Sequence, residues 1–138
     1  MIFILAFVLI KCYSKKVENF SDGLEYKYEI TNSANTKEKA VEEGQNATIT
    51  ITRDDSGTSS TVYISTTGAS AYEDDYEKIN LRKITFGSKE TTKTIEISTK
   101  TDNIADDGEY FLVDLFKSKA AAKVGNYATW TTVYIKDK

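Results

Sequence analysis

The sequence predicts an all-β fold, an Ig-like antiparallel β-sandwich of about seven strands. Three observations carry this. From Leu24 onward the apolar residues recur with a period close to two, as in strands buried on one face. Turn-forming clusters interrupt those runs at the spacing of a sandwich. Aromatics make up 12% of the chain, with nine tyrosines, and threonine fills many outward strand positions.

Leu24 to Ile30 (LEYKYEI) alternates and is expected to be the first strand. Thr31 to Lys39 is polar and is expected to be a loop, or a strand that switches sheets. Ala47 to Arg53 (ATITITR) sets Ile49 and Ile51 on one face and threonines on the other. Asp54-Asp55-Ser56-Gly57 makes a turn. Thr61 to Ser65 follows, with Val62 and Ile64 inward. Gly68 to Glu77 (GASAYEDDYE) lacks a strand period and is expected to be a loop. Ile79 to Phe86 is a weaker strand with Ile84 and Phe86 inward, closed by the turn Gly87-Ser88-Lys89-Glu90. Thr92 to Thr99 points Ile95 and Ile97 inward. Thr101 to Glu109 (TDNIADDGE) is a second acidic loop. Tyr110 to Phe116 (YFLVDLF) is the most apolar strand and is placed at the centre, with Phe111, Val113 and Leu115 inward. Lys117 to Gly125 has room for a short helical turn. Thr129 to Lys136 closes the domain with Val133 and Ile135 inward.

At 138 residues the chain is one domain with enough length to bury a core. Its N-terminus holds the one long apolar run, Met1 to Ile10 (MIFILAFVLI), too short for a membrane-spanning helix. Small residues at Cys12 and Ser14 follow in the spacing a signal peptidase prefers. The expectation is an export or anchor segment over residues 1–20 and a sandwich domain over residues 21–138. A fragment boundary and a strand of the fold are the other readings of that run. An export segment would make the protein secreted or cell-surface, touching a membrane only through this segment.

The composition excludes several functions. There is no histidine, which removes the commonest general base, any Ser-His nucleophile pair and most zinc chemistry. The single cysteine, Cys12, cannot form an internal disulfide. A net charge of −3 with scattered basic residues argues against nucleic acid. No nucleophile stands beside a base, so the chain is not expected to be an enzyme.

The acids are concentrated. One loop holds Glu73, Asp74, Asp75 and Glu77, another Asp102, Asp106, Asp107 and Glu109, and neither contains a basic residue. Glu42-Glu43-Gly44 is a third acidic turn, and Asp137 ends the last strand. Loops at one end of a sandwich cluster in space, and calcium takes about six to eight oxygen ligands, best from several carboxylates. The same loops could equally be solvated surface. A pair of carboxylates could serve a glycosidase, but the sequence supplies no substrate cleft. Tyr63, Tyr110, Trp130 and Tyr134 could share outward faces, as a contact patch or as cross-strand pairs. Asn46-Ala47-Thr48 fits the N-glycosylation pattern.

Five segments, taken in order, resemble the Calx-beta module over Val41 to Asp137. Val41-Glu42-Glu43-Gly44 with Ile49-Thr50-Ile51-Thr52-Arg53 resembles its opening V-x-E-G … V-x-R strand. Gly68 to Tyr76 resembles the G-T-A-x-x-G-x-D-Y loop. Ile84-Thr85-Phe86 and Lys93 to Ile97 resemble the next two strands. Asp102 to Leu115 resembles the D-D-x-x-E-x-x-E-x-F-x-v-x-L signature, and Val133 to Asp137 the closing v-x-I-x-D. The resemblance implies a β-sandwich of the kind found in the regulatory region of sodium/calcium exchangers and in secreted adhesive proteins. It implies calcium ligands at Glu43, Asp75, Asp102, Asp106, Glu109 and Asp137. The chain departs from the pattern at Thr101 and Asn103, which flank Asp102, and at Lys136 and Lys138, which flank Asp137. The expected role is a non-catalytic surface binding or adhesion module that holds Ca2+, with a protein partner or self-assembly. A metal-free structural or assembly module and an accessory domain of an enzyme are the alternatives.

Overall fold

The structure is a computed structural model that describes residues 26–54, 56–105 and 108–138. The expected export segment, residues 1–20, lies outside the described residues, as do Leu24 and Glu25 of the first expected strand.

Eight strands form among the described residues. They are β1 (Tyr28–Asn32), β2 (Val41–Glu42), β3 (Asn46–Arg53), β4 (Ser60–Gly68), β5 (Arg82–Phe86), β6 (Thr92–Ser98), β7 (Glu109–Phe116) and β8 (Thr129–Lys136). A 3-10 turn, Lys37–Lys39, precedes β2, and one helix, α1 (Lys119–Lys123), precedes β8. A three-stranded sheet has the order β1-β3-β6, and a five-stranded sheet the order β2-β8-β7-β4-β5. Seven of the eight match the expected strands. The eighth is β2, two residues paired in parallel with β8 through Val41↔Ile135 and Glu42↔Lys136. It departs from the expected antiparallel pattern and is too short to show a period. Of the two readings of Thr31 to Lys39, the loop holds: β1 ends at Asn32, and the segment with its 3-10 turn carries the chain to β2 in the other sheet.

Alternation builds the core. In β3 every second residue, Ala47, Ile49, Ile51 and Arg53, is buried. Ala47, Ile49 and Ile51 join Val62, Ile64, Phe111, Val113, Leu115, Val133 and Ile135 in one apolar cluster. Burying such a side chain stabilises the fold by about 1.5–3 kcal/mol relative to exposure. Ile97 is fully buried as expected, whereas Ile95 is only partly buried, because β6 is the edge of its sheet. The expected strand from Ile79 starts only at Arg82. Leu81 has φ 54°, a left-handed conformation that breaks an extended run, and its N–H donates to Ser65 Oγ at 2.9 Å.

The acidic loop after β4 is anchored from within. Tyr76 is 1% exposed and stacks on Phe111 at 4.2 Å between ring centroids. It also forms a single antiparallel bridge with Thr99. α1 occurs in the segment that had room for a helical turn. Ser118 caps it, its Oγ accepting from the Ala121 N–H at 3.0 Å.

Candidate functional site

Glu43 sits in the turn between β2 and β3, closed by the Gln45 N–H donating to the Glu42 carbonyl at 3.0 Å. Gly44 takes φ 85°, and a Cβ there would lie 2.6 Å from Thr101 Oγ1. Glycine is therefore required twice over, by conformation and by close approach. The Glu43 N–H donates to the Lys136 carbonyl at 3.0 Å, tying this turn to the end of β8, beside Asp137. Buried Thr99 fixes the turn from the other side. Its Oγ1 accepts from the Gly44 N–H at 3.0 Å and lies 2.8 Å from the Gln45 carbonyl, to which it donates.

Asp75 is buried in a tight turn. Its N–H donates to the Tyr72 carbonyl, and its Oδ2 accepts from the Tyr72 N–H at 2.6 Å. Its carbonyl accepts from the Lys100 N–H at 2.9 Å, which joins the first acidic loop to the second. Burial, with the nearby carboxylates of Glu73 and Asp75, raises the Tyr76 phenol above its ordinary pKa. Asp102 Oδ1 accepts from the Ile104 N–H at 2.8 Å and so shapes the second loop. Glu109 opens β7, is buried and stands opposite Ile135.

One cleft of about 350 Å3 lies at this end of the sandwich. Glu43, Thr101, Asp102, Asn103, Asp137 and Lys138 are among its lining residues. Of the six expected ligands, it gathers Glu43, Asp102 and Asp137. Asp75 and Glu109 are outside the lining, and Asp106 is outside the described residues. Among the described residues no three acidic, histidine or cysteine side chains stand close enough to hold a metal ion. The donors fit a hard cation in kind, since all are oxygens.

Two acids of the first loop are engaged elsewhere. Glu73 pairs with Lys78 at 2.8 Å and Glu77 with Arg82 at 2.6 Å. The loop has no base of its own, and the cations that pair with it come from just beyond its end. Thr99 is a site residue that the sequence does not single out, and Thr101, marked there only as a departure from the family pattern, packs against Gly44. At the end of a strand pattern Thr99 looks like one more solvated threonine, and the glycine of the facing turn is the available signal.

Solved structures share this fold. The Calx CBD1 domain in its apo form matches with a TM-score of 0.60 and 16% identity, over 80% of this chain and 97% of that one. The calcium binding domain CBD12 of CALX1.1 matches with a TM-score of 0.61 and 18% identity, over 79% of this chain and 45% of that one. The Calx CBD2 domain matches with a TM-score of 0.53 and 14% identity, over 80% and 84%. At such identities the likeness shows the fold alone. No curated protein matches the chain. The family model for the Calx-beta domain matches residues 29–138, which adds β1 to the span already recognised from Val41. The chain belongs to the Calx-beta family.

Proposed function

We propose that this domain is a non-catalytic calcium-binding module whose ion sits at the cleft between the β2–β3 turn, the 101–105 segment and the end of β8. One observation carries the reading. Glu43, Asp102 and Asp137, far apart in sequence, line a single cleft, and all three are positions where the family resemblance implies ligands. Asp75 and Glu109, two further positions where the resemblance implies ligands, are buried. Buried carboxylates are normally paired or bound to a metal. A bound calcium ion would offset the repulsion among these acids and hold the loops together. Thr101 and Asn103 stand where the family pattern favours acids, so the site carries fewer charges and is expected to bind weakly. The apolar segment at Met1–Ile10 favours display at a cell surface or secretion, where millimolar calcium suits a weak site.

The competing reading, a metal-free structural module, is favoured by one observation, the absence of a compact three-acid group among the described residues. Calorimetric titration with calcium separates the two. A saturable heat is expected in the wild type, weakened roughly tenfold or more in Asp102→Asn and in Glu43→Gln. No heat in the wild type, or equal heats in all three proteins, would support the metal-free module.

A further inference from the structure

The two outer faces of the sandwich differ in chemistry. That of the three-stranded sheet is threonine and acid, with Thr48 opposite Glu96 and Thr50 opposite Thr94. That of the five-stranded sheet carries Tyr110, Leu112, Asp114 and Phe116 along β7. Tyr110 pairs with Tyr134 at 5.4 Å between ring centroids. Asp114 stands between Ser65 of β4 and Trp130 of β8 in register.

Asp114 is only 6% exposed. Its Oδ2 accepts from Thr67 Oγ1 at 2.7 Å. No other hydrogen bond or ion pair reaches this carboxylate among the described residues. Burial holds its pKa above the ordinary aspartate value, the mark of a charge desolvated without a counter-ion.

Asp114 lines a cavity of about 210 Å3 together with Ser65, Thr67, Asn80, Phe116 and Lys123. That volume is below the range for small-molecule sites and suits a single side-chain head. Asp114 is the one carboxylate of the cavity lining. Thr67 spends its proton on Asp114, while Ser65 Oγ accepts from the Leu81 N–H and keeps its own proton to donate. Lys123 lines the cavity but forms no ion pair with Asp114 among the described residues. From Phe116 an aromatic strip runs outward to Tyr127 at 5.8 Å and on to Trp130 at 5.8 Å. Tyr127 and Trp130 are 48% and 55% exposed.

We propose that this face docks a protein partner through an arginine, whose guanidinium enters the cavity and pairs with Asp114 while Tyr127 and Trp130 form the exposed rim. The charge complements a buried carboxylate that lacks a cation, and a planar guanidinium is weakly hydrated and stacks well on aromatic rings. This site is separate from the acidic cleft and does not depend on calcium.

Trp130 is the sole tryptophan, so its indole N–H is a reporter placed directly opposite Asp114. The test titrates the full isotope-labelled chain with acetyl-arginine amide, or with the neutral isostere acetyl-citrulline amide, and follows that signal. A saturable displacement by the arginine probe is expected. It should be roughly tenfold weaker or more with citrulline, and likewise with arginine in Asp114→Asn. Asparagine is isosteric and can still accept from Thr67, and the remaining amide signals report whether the variant is folded. No displacement, equal responses to both probes, or equal responses in wild type and Asp114→Asn would overturn the proposal. Binding that appears only in Lys123→Met would overturn it too, because the chain's own lysine would then be the occupant.

Discussion

Arg53 is 4% exposed and forms no ion pair among the described residues. Backbone carbonyls take that place. Its guanidinium donates to Glu90 O and Thr58 O at 2.7 Å and to Gly87 O at 3.0 Å, and it packs on Tyr26 at 4.5 Å and Phe86 at 5.3 Å. Five donors in a fixed fork can serve such a cage, and a lysine ammonium cannot. The alternation of β3 made Arg53 inward-facing in the sequence, and the carbonyl cage was invisible there because it comes from distant turns. Asp114 is the opposite case. The same alternation turned it outward in YFLVDLF, and an outward aspartate is expected to be solvated. Leu81 and, from α1, Ala122 and Lys123 line one cavity with it, and only the folded chain brings them there. The folded pKa is raised, so between the ordinary aspartate value and that raised value the folded state binds more protons than the unfolded one. Stability from this group is present at low pH and is lost as pH rises through the folded pKa. Asp114→Asn is therefore expected to melt higher than the wild type near pH 7, with the difference fading below about pH 3.5. Melting curves of both proteins across that range check this, and a difference independent of pH would contradict it.

At the scale of elements, the period-two runs made seven strands legible, with their inward residues, because each run is long enough to repeat. The β2 strand was not legible, since two residues have no period and its parallel partner β8 lies at the far end of the chain. The acidic loops were legible as loops. Their ion pairs were not, because Lys78 and Arg82 reach back to Glu73 and Glu77 only through the shape of the turn. The β2–β3 turn depends on Thr99 at the end of β6, which both accepts from Gly44 and donates into the turn. Thr99→Val keeps the shape and takes away the acceptor of the Gly44 N–H, while the Gln45 carbonyl keeps the bond from the Thr99 N–H. A loss of roughly 1 kcal/mol in denaturant unfolding is expected. The calcium heat should weaken as well, because Glu43 is held by this turn. Thr99→Ser keeps the hydroxyl and is expected to restore both. Unchanged stability in Thr99→Val would show that the turn holds itself.

At the scale of the whole molecule, the sandwich separates its two chemistries. The acids collect at one end, where the β2–β3 turn, the 101–105 segment and the end of β8 converge on one cleft. The aromatics collect on the outer face of the five-stranded sheet. The sequence resemblance pointed to the acidic end, since its motifs sit in those loops. It carried no information about the aromatic face, which is built from alternate residues of ordinary strands. If calcium binds the folded chain and not the unfolded one, it must raise stability by mass action. At about a hundredfold excess over the dissociation constant the gain is about 2.7 kcal/mol, a rise in melting temperature of roughly 10 °C for a domain of this size. The most direct test is a thermal melt of the chain in excess calcium and in chelator at matched ionic strength. The account predicts a higher melting temperature in calcium, with the difference reduced to about half or less in Asp102→Asn. Identical melting temperatures in calcium and chelator would contradict it and leave the acidic end as solvated loops.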